Sequence, residues 1–204
     1  ASMRRVAHYD YWSNKVRRSI IQDTRADLLI YGMADGQIEE AARRYQQERS
    51  LEGIPGTVVM SKEQPEDAVI LQEGADVIKD KAELLKFYKS FYRHRRSVLT
   101  QPVNKRFLVH YPQDFTDAQK KLEAVYRLPF TRRPHPIYKE QIPAYTMIRD
   151  SVNVHRGCVS GCSFCSLGLH QGKQIISRSK ESVLAEIEEI KQTKGFKGHI
   201  TDIG

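Results

Sequence analysis

Cysteine is scarce in this chain: three among 204 residues, all inside Cys158-Val159-Ser160-Gly161-Cys162-Ser163-Phe164-Cys165. An odd number packed into one short loop cannot build a disulfide framework, so a reducing compartment, the cytoplasm, is expected. No apolar run approaches the roughly 20 residues that span a bilayer, and no signal peptide precedes the first strand-like segment, so no membrane embedding is expected. A second Cys-x-x-Cys pair, the usual complement of a structural zinc knuckle, is missing. The loop Gly32-Met33-Ala34-Asp35-Gly36 lacks both the Gly-x-Gly-x-x-Gly spacing and a Lys-Ser/Thr pair, which reduces it from a phosphate cradle to a turn. No repeat or low-complexity tract stands out. What remains is an ordinary globular composition, 40% apolar, with a net charge of +8.

The three cysteines are themselves the strongest signal. Three thiolates are one short of the four that close a structural zinc or a fully ligated iron-sulfur cube, so a metal held here keeps one position open. A closed zinc site of the Cys3His kind would have to recruit His155 or His170, and the chain would then be a non-enzymatic interaction module. An electron-rich cluster would favour backbone N–H groups turned toward it, and Gly157 and Gly161 are free to take the left-handed dihedrals that wrapping requires.

The flanking pattern places the loop. Ser151-Val152-Asn153-Val154 alternates as a short strand. A helix is predicted from Lys180 to about Lys194, with Ser179 as N-cap and Val183, Leu184, Ile187 and Ile190 as its apolar stripe; Gly195 supplies the left-handed stop. His199-Ile200-Thr201-Asp202-Ile203 alternates again. Strand, loop, helix and strand form a βαβ unit with the cysteines at the C-terminal end of its first strand, where parallel folds place active sites.

The Cys-x3-Cys-x2-Cys spacing resembles the signature of the radical S-adenosylmethionine (radical SAM) superfamily. Ser151 to Cys158, Gly161 to Cys165, His170-Gln171-Gly172-Lys173 and Ser177-Arg178-Ser179 narrow that resemblance to the YgiQ family, as do Arg4 to Ser13 and Leu128 to Pro136. The likeness is weakest between about Leu51 and Lys105. It implies that Cys158, Cys162 and Cys165 hold three irons of a 4Fe-4S cluster whose fourth iron chelates S-adenosyl-L-methionine, with reductive cleavage to a 5'-deoxyadenosyl radical. It implies that Phe164 lies beside the adenine, the alternative being a core phenylalanine, and that Gly204 opens a glycine-rich SAM-binding segment. It names no catalytic side chain and no substrate, and it implies an electron donor. Family members extend beyond both ends of this sequence, so the chain is expected to be an internal piece, inactive by itself.

Taken with that resemblance, the expected fold is α/β: an N-terminal Rossmann-like region over 1–127, a proline-rich connector over 128–145, and over 146–204 the first βαβ unit of an incomplete radical SAM (β/α) barrel. Within the first region, Asp27 to Tyr31, Thr57 to Met60, Ala68 to Leu71 and Arg106 to Tyr111 are predicted strands, and Ile38 to Glu48 and Asp76 to Arg96 are predicted helices. The second of these helices presents Leu84, Leu85, Tyr88, Phe91 and Tyr92 as a core face. Thr116 to Gln119 forms a capping box for a short helix. The Asp-x-His-x-x-Gly motif that many cobalamin-binding domains carry is not found, so cobalamin has no support.

The surplus positive charge lies largely in Arg93-His94-Arg95-Arg96 and Arg132-Arg133-Pro134-His135. Such clusters, with Tyr88, Phe91, Tyr92 and Tyr138 nearby, could bind nucleic acid. The plainer account is that arginines complement a helix C-terminus. His135 and Tyr138 belong to the connector, read as surface. His8, Tyr9, Asp10, Tyr11 and Trp12 read as a buried, hydrogen-bonded corner.

Overall fold

Apolar β-branched and leucine-rich segments flanked by Gly, Pro and Asn set most of the strands, and the computed structural model, which describes residues 3–204, places them as follows. In chain order the elements are β1 (His8–Asp10), β2 (Lys15–Arg17), α1 (Ile20–Thr24), β3 (Leu29–Ile30), α2 (Asp35–Glu48), β4 (Thr57–Ser61), β5 (Val69–Ile70), α3 (Gly74–Lys79), α4 (Lys81–Arg93), β6 (Leu99–Val103) and β7 (Arg106–His110). There follow α5 (Ala118–Tyr126), α6 (Pro143–Ile148), β8 (Ser151–Val152), β9 (His155–Arg156), α7 (Leu167–His170), β10 (Ile176–Ser177), α8 (Lys180–Lys191) and β11 (Asp202–Ile203). The chain divides into two compact units, residues 1–115 with 162–172, and residues 116–161 with 173–204.

The first unit is built on a five-stranded sheet of order β3-β4-β7-β6-β5. The α/β class stands, but the sheet is not Rossmann-like: only β5 and β6 run parallel, and the other three ladders are antiparallel. The reason is local. β6 returns at once as β7 through a two-residue turn in which Asn104 takes a left-handed φ of 54°, a conformation asparagine tolerates. Pro102 is accommodated in β6 because β5 pairs only with Leu99 and Thr100, leaving Pro102 beyond that ladder. This strand carries no clean alternation and is the one element of the sheet that sequence patterning misses.

Helices α3 and α4 cover the sheet, with Val77, Phe87, Phe91, Leu99 and Leu108 in one buried cluster. The single helix predicted over 76–96 is interrupted at Asp80. That residue is extended (φ −123°, ψ 122°), closes α3 through its N–H on the Asp76 carbonyl, and caps α4 by accepting from the Ala82 N–H at 2.8 Å. The buried face of α4 is Leu84, Phe87 and Phe91; Leu85 and Tyr92, expected in the core, are exposed. The buried-corner reading of His8 to Trp12 also fails at its tip. β1 and β2 form a hairpin whose Tyr11 and Trp12 are 80% and 94% exposed, while Asp10 accepts from Ser13 Oγ at 2.5 Å and from the Trp12 N–H at 3.2 Å.

His110 ends β7 wholly inside this core, stacked on Tyr31 with ring centroids 4.9 Å apart. Burial first, and the nearby Arg5 guanidinium second, push its pKa down to about 3. In the unfolded chain a histidine titrates near 6.5, so between those values the unfolded state binds the extra proton. This contribution to stability is therefore fully present above about pH 6.5 and is lost as pH falls toward 3. The first unit is expected to lose about 2 kcal/mol between pH 6.5 and 5. Urea midpoints read across that range check the slope, and His110→Gln is expected to flatten it.

The second unit contains the predicted strand-helix-strand passage. β8 and β11 pair in parallel, Ser151 against Asp202 and Val152 against Ile203, and α8 packs on β8 with Val152 and Ile190 buried. Ser179 caps α8 by accepting from the Ser182 N–H at 3.2 Å, and Gly195 takes φ 91°. The stripe of α8 differs from expectation, since Leu184 is exposed and Glu186 is buried beside Ile190. The capping box at Thr116 does not form: α5 starts after Asp117, which sits at φ 53° with no side-chain cap. The proline-rich stretch is largely exposed and ends in α6, opened by Pro143 at its first turn. No helix among the described residues is long and apolar enough to cross a membrane.

Candidate metal centre

The cysteine loop leaves and re-enters the second unit through a short antiparallel ladder, Arg156 against Ile176 and His155 against Ser177. At its start the chain passes so close to the returning strand that a Cβ on Gly157 would lie 1.8 Å from the Gln174 carbonyl oxygen, and φ there is 97°. Only glycine fits both conditions. Gly161 does not share this role, contrary to expectation. Its φ is not positive, and a Cβ there would meet only Lys173 Nζ at 3.4 Å.

Cys158 is half-buried, and its Sγ accepts from the Ser160 N–H at 3.4 Å. Cys162 and Cys165 are exposed and joined by a turn in which the Cys165 N–H donates to the Cys162 carbonyl at 3.1 Å. Cys158 belongs to the second unit, and Cys162 and Cys165 to the first. Among the described residues no three His, Cys, Asp or Glu side chains are gathered in a metal-holding group. What the three thiols share is a short stretch of chain. As a donor set they suit a thiophilic centre: all three are free cysteines, the soft ligands that iron-sulfur clusters and zinc take.

Phe164, between the last two cysteines, is 91% exposed, which removes the core reading of that ring. Gly204 is engaged through its backbone, its N–H on the Val152 carbonyl at 3.1 Å and its carbonyl on the Val154 N–H at 2.8 Å. His155 is half-buried in β9, while His170, His135 and Tyr138 are exposed.

A buried ionic cluster that sequence reasoning passed over braces the strand from which the loop departs. Arg178, its side chain 1% exposed, pairs with Glu186 and donates to the Asn153 carbonyl at 2.9 Å and the Ser182 carbonyl at 2.9 Å. Its guanidinium lies 4.2 Å from the Tyr126 ring centroid. Arg132 pairs with the other Glu186 oxygen, so this member of the basic Arg132-Arg133 cluster is committed to an internal carboxylate. Glu123 of α5 accepts from the Ser179 N–H at 2.8 Å, and its carboxyl is held below the usual range first by the Ser179 hydroxyl and then by that N–H. The signal for the cluster was present in α8, where a glutamate interrupts the spacing of Val183, Ile187 and Ile190.

Residues 1–151 match the family described as Radical SAM N-terminal. The whole chain is similar to a UPF0313 protein of Bacteroides thetaiotaomicron, at 38% identity over 37% of that protein, and to UPF0313 protein GSU2873 of Geobacter sulfurreducens, at 42% over 35%. A UPF0313 protein of Methanocella arvoryzae is 40% identical over 36% of its length. The chain thus spans little more than a third of the curated relatives it matches. No solved structure gives a significant match.

Proposed function

We propose, from the premise that this chain belongs to the Radical SAM N-terminal family, that Cys158, Cys162 and Cys165 hold a 4Fe-4S cluster serving reductive cleavage of S-adenosylmethionine. Similarity to UPF0313 proteins along the entire chain supports the resemblance to the YgiQ family. The observation that carries the proposal is three free thiols within eight residues, on the loop that follows the first strand of a parallel strand-helix-strand passage.

Cys158, Cys162 and Cys165 would hold the cluster, which, once reduced by an electron donor, would supply the single electron that parts S-adenosylmethionine into methionine and a 5'-deoxyadenosyl radical. The chain's own residues serve that chemistry by binding and placement. The three thiolates would ligate three irons and leave the fourth open to a ligand. Exposed Phe164 offers an aromatic face for the adenine. Gly204, whose amide and carbonyl are spent on β8 and the residues after it, contributes by lacking a side chain at the start of the segment beyond β11. Gly157 lets the loop begin against the Gln174 backbone. Residues 146–204 supply one parallel strand pair of the barrel, so this chain alone is expected to bind S-adenosylmethionine weakly and not to cleave it. An electron donor is a necessary partner of the longer protein, and the thiol ligands suit the reducing cytoplasm.

Anaerobic reconstitution tests the assignment. Brown protein holding about four irons and four sulfides per chain is the expected result. Colourless protein binding a single zinc would replace it with the Cys3His reading.

A further inference from the structure

The limb of the motif that carries Cys162 and Cys165 is seated within the first unit by a half-buried arginine far away in sequence. Arg5 donates from Nη1 to the Leu169 carbonyl at 3.3 Å, four residues beyond Cys165. Its Nε donates to His110 Nε2 at 3.3 Å, and its guanidinium packs 4.6 Å from the Tyr31 ring centroid and 5.4 Å from that of Phe91. The aromatic walls and the neutral imidazole fix the plane of the guanidinium, so the donor that meets Leu169 is rigid. Leu169 lies in α7, a four-residue helix whose terminal carbonyls have no partner within the helix itself, and a cation at that end complements both hydrogen bond and dipole.

Two glycines shape the same seat. A Cβ on Gly32 would lie 2.9 Å from the His170 carbonyl and 1.8 Å from Gln113 Nε2, at φ 76°. A Cβ on Gly172, at φ 89°, would come to 3.2 Å from Phe115 Cζ. The turn at Gly32, without phosphate-binding spacing, therefore has a different use: close approach of the chain that follows the cysteines.

We infer that Arg5 is a positioning residue for the cysteine loop, holding the chain after Cys165 so that Cys162 and Cys165 are presented from a fixed base. The role in cluster binding rests on the reading of the cysteines given above; the seat itself does not. A flexible, strongly hydrated lysine cannot make these bonds to His110 and Leu169 while stacking on two rings.

Amide hydrogen exchange of the full chain without metal tests the seat. Arg5→Lys is expected to speed exchange over residues 166–171 about tenfold while α4 and β7 stay protected. Unchanged exchange over 166–171 overturns the inference. Where α4 and β7 also lose protection, Gly172→Ala, which leaves the Arg5 box intact, decides instead: local acceleration supports the seat, and none overturns it. After reconstitution, Arg5→Lys is expected to shift the cluster's electron paramagnetic resonance signal and speed loss of iron to a chelator. An identical signal and identical release would mean that the seat serves the fold alone, overturning the positioning role. Failure of the unsubstituted protein to take up iron would overturn the cluster reading and leave the exchange result, which needs no metal, to judge the seat.

Discussion

Replacing any one of Cys158, Cys162 or Cys165 by alanine is expected to reduce iron retained after anaerobic reconstitution from about four per chain to below one. A cube with two anchored corners exposes two irons to solvent and chelator. The three substitutions should be nearly equivalent although the residues differ in burial, Cys158 being half-buried and the others exposed. Thermal unfolding of the metal-free protein should barely move, because none of these thiols packs in the core, so loss of iron and loss of fold are separable in one experiment. Iron and sulfide analysis with the visible spectrum reads the result. A variant that keeps the full complement would remove that cysteine from the ligand set.

The second large effect is expected at Glu186. Its carboxylate is buried between Arg178 and Arg132, and removing it leaves the Arg178 guanidinium in the interior without its counter-charge. Breaking a buried pair from one side costs about 3–5 kcal/mol, far more than a surface pair is worth. Glu186→Ala should therefore destabilise the second unit by that amount, and Glu186→Gln, which still accepts a hydrogen bond, by roughly half. Denaturant unfolding followed by a probe in α8 measures it, and a loss under about 1 kcal/mol would show that the cluster relaxes to solvent. Because Arg178 also holds the Asn153 carbonyl, the same variant should loosen the strand that leads into Cys158.

Arg178 and Arg5 illustrate one physical theme. Each is a guanidinium, Arg178 buried and Arg5 half-buried, that lies over an aromatic ring and donates to a backbone carbonyl, Asn153 before the cysteine motif in one unit and Leu169 after it in the other. The cysteines themselves lie on chain that has almost no regular structure between Arg156 and Leu167. On the proposed reading, a loop that admits a cluster is not packed solid, so its precision comes from the anchored residues on either side.

How much of this was legible beforehand depends on the range of the interaction concerned. Spacing along the chain was enough for the cysteine motif, for the Ser179 cap, for the helix it opens and for the strands through Leu29, Val58 and Val109, since periodicity, caps and ligand spacing all act within a few residues. Sequence patterning also led to the parallel return at Asp202, though not to its shortness. What depended on distant partners was hidden. The antiparallel order of the first sheet follows from β6, a strand whose Pro102 and polar residues obscure it until β7 lies alongside. The break at Asp80 looks like one helix until its side chain turns to the Ala82 amide. Glu186 and Arg5 were given no structural role from sequence, because Arg132 and His110, which help hold them, lie 54 and 105 positions away. The sequence alone thus determined that three thiols share one short loop; the tertiary structure alone decided what the chain on either side of it is tied to, because groups such as Arg178 and Glu186 are stable in the interior only where the folded chain has brought them together.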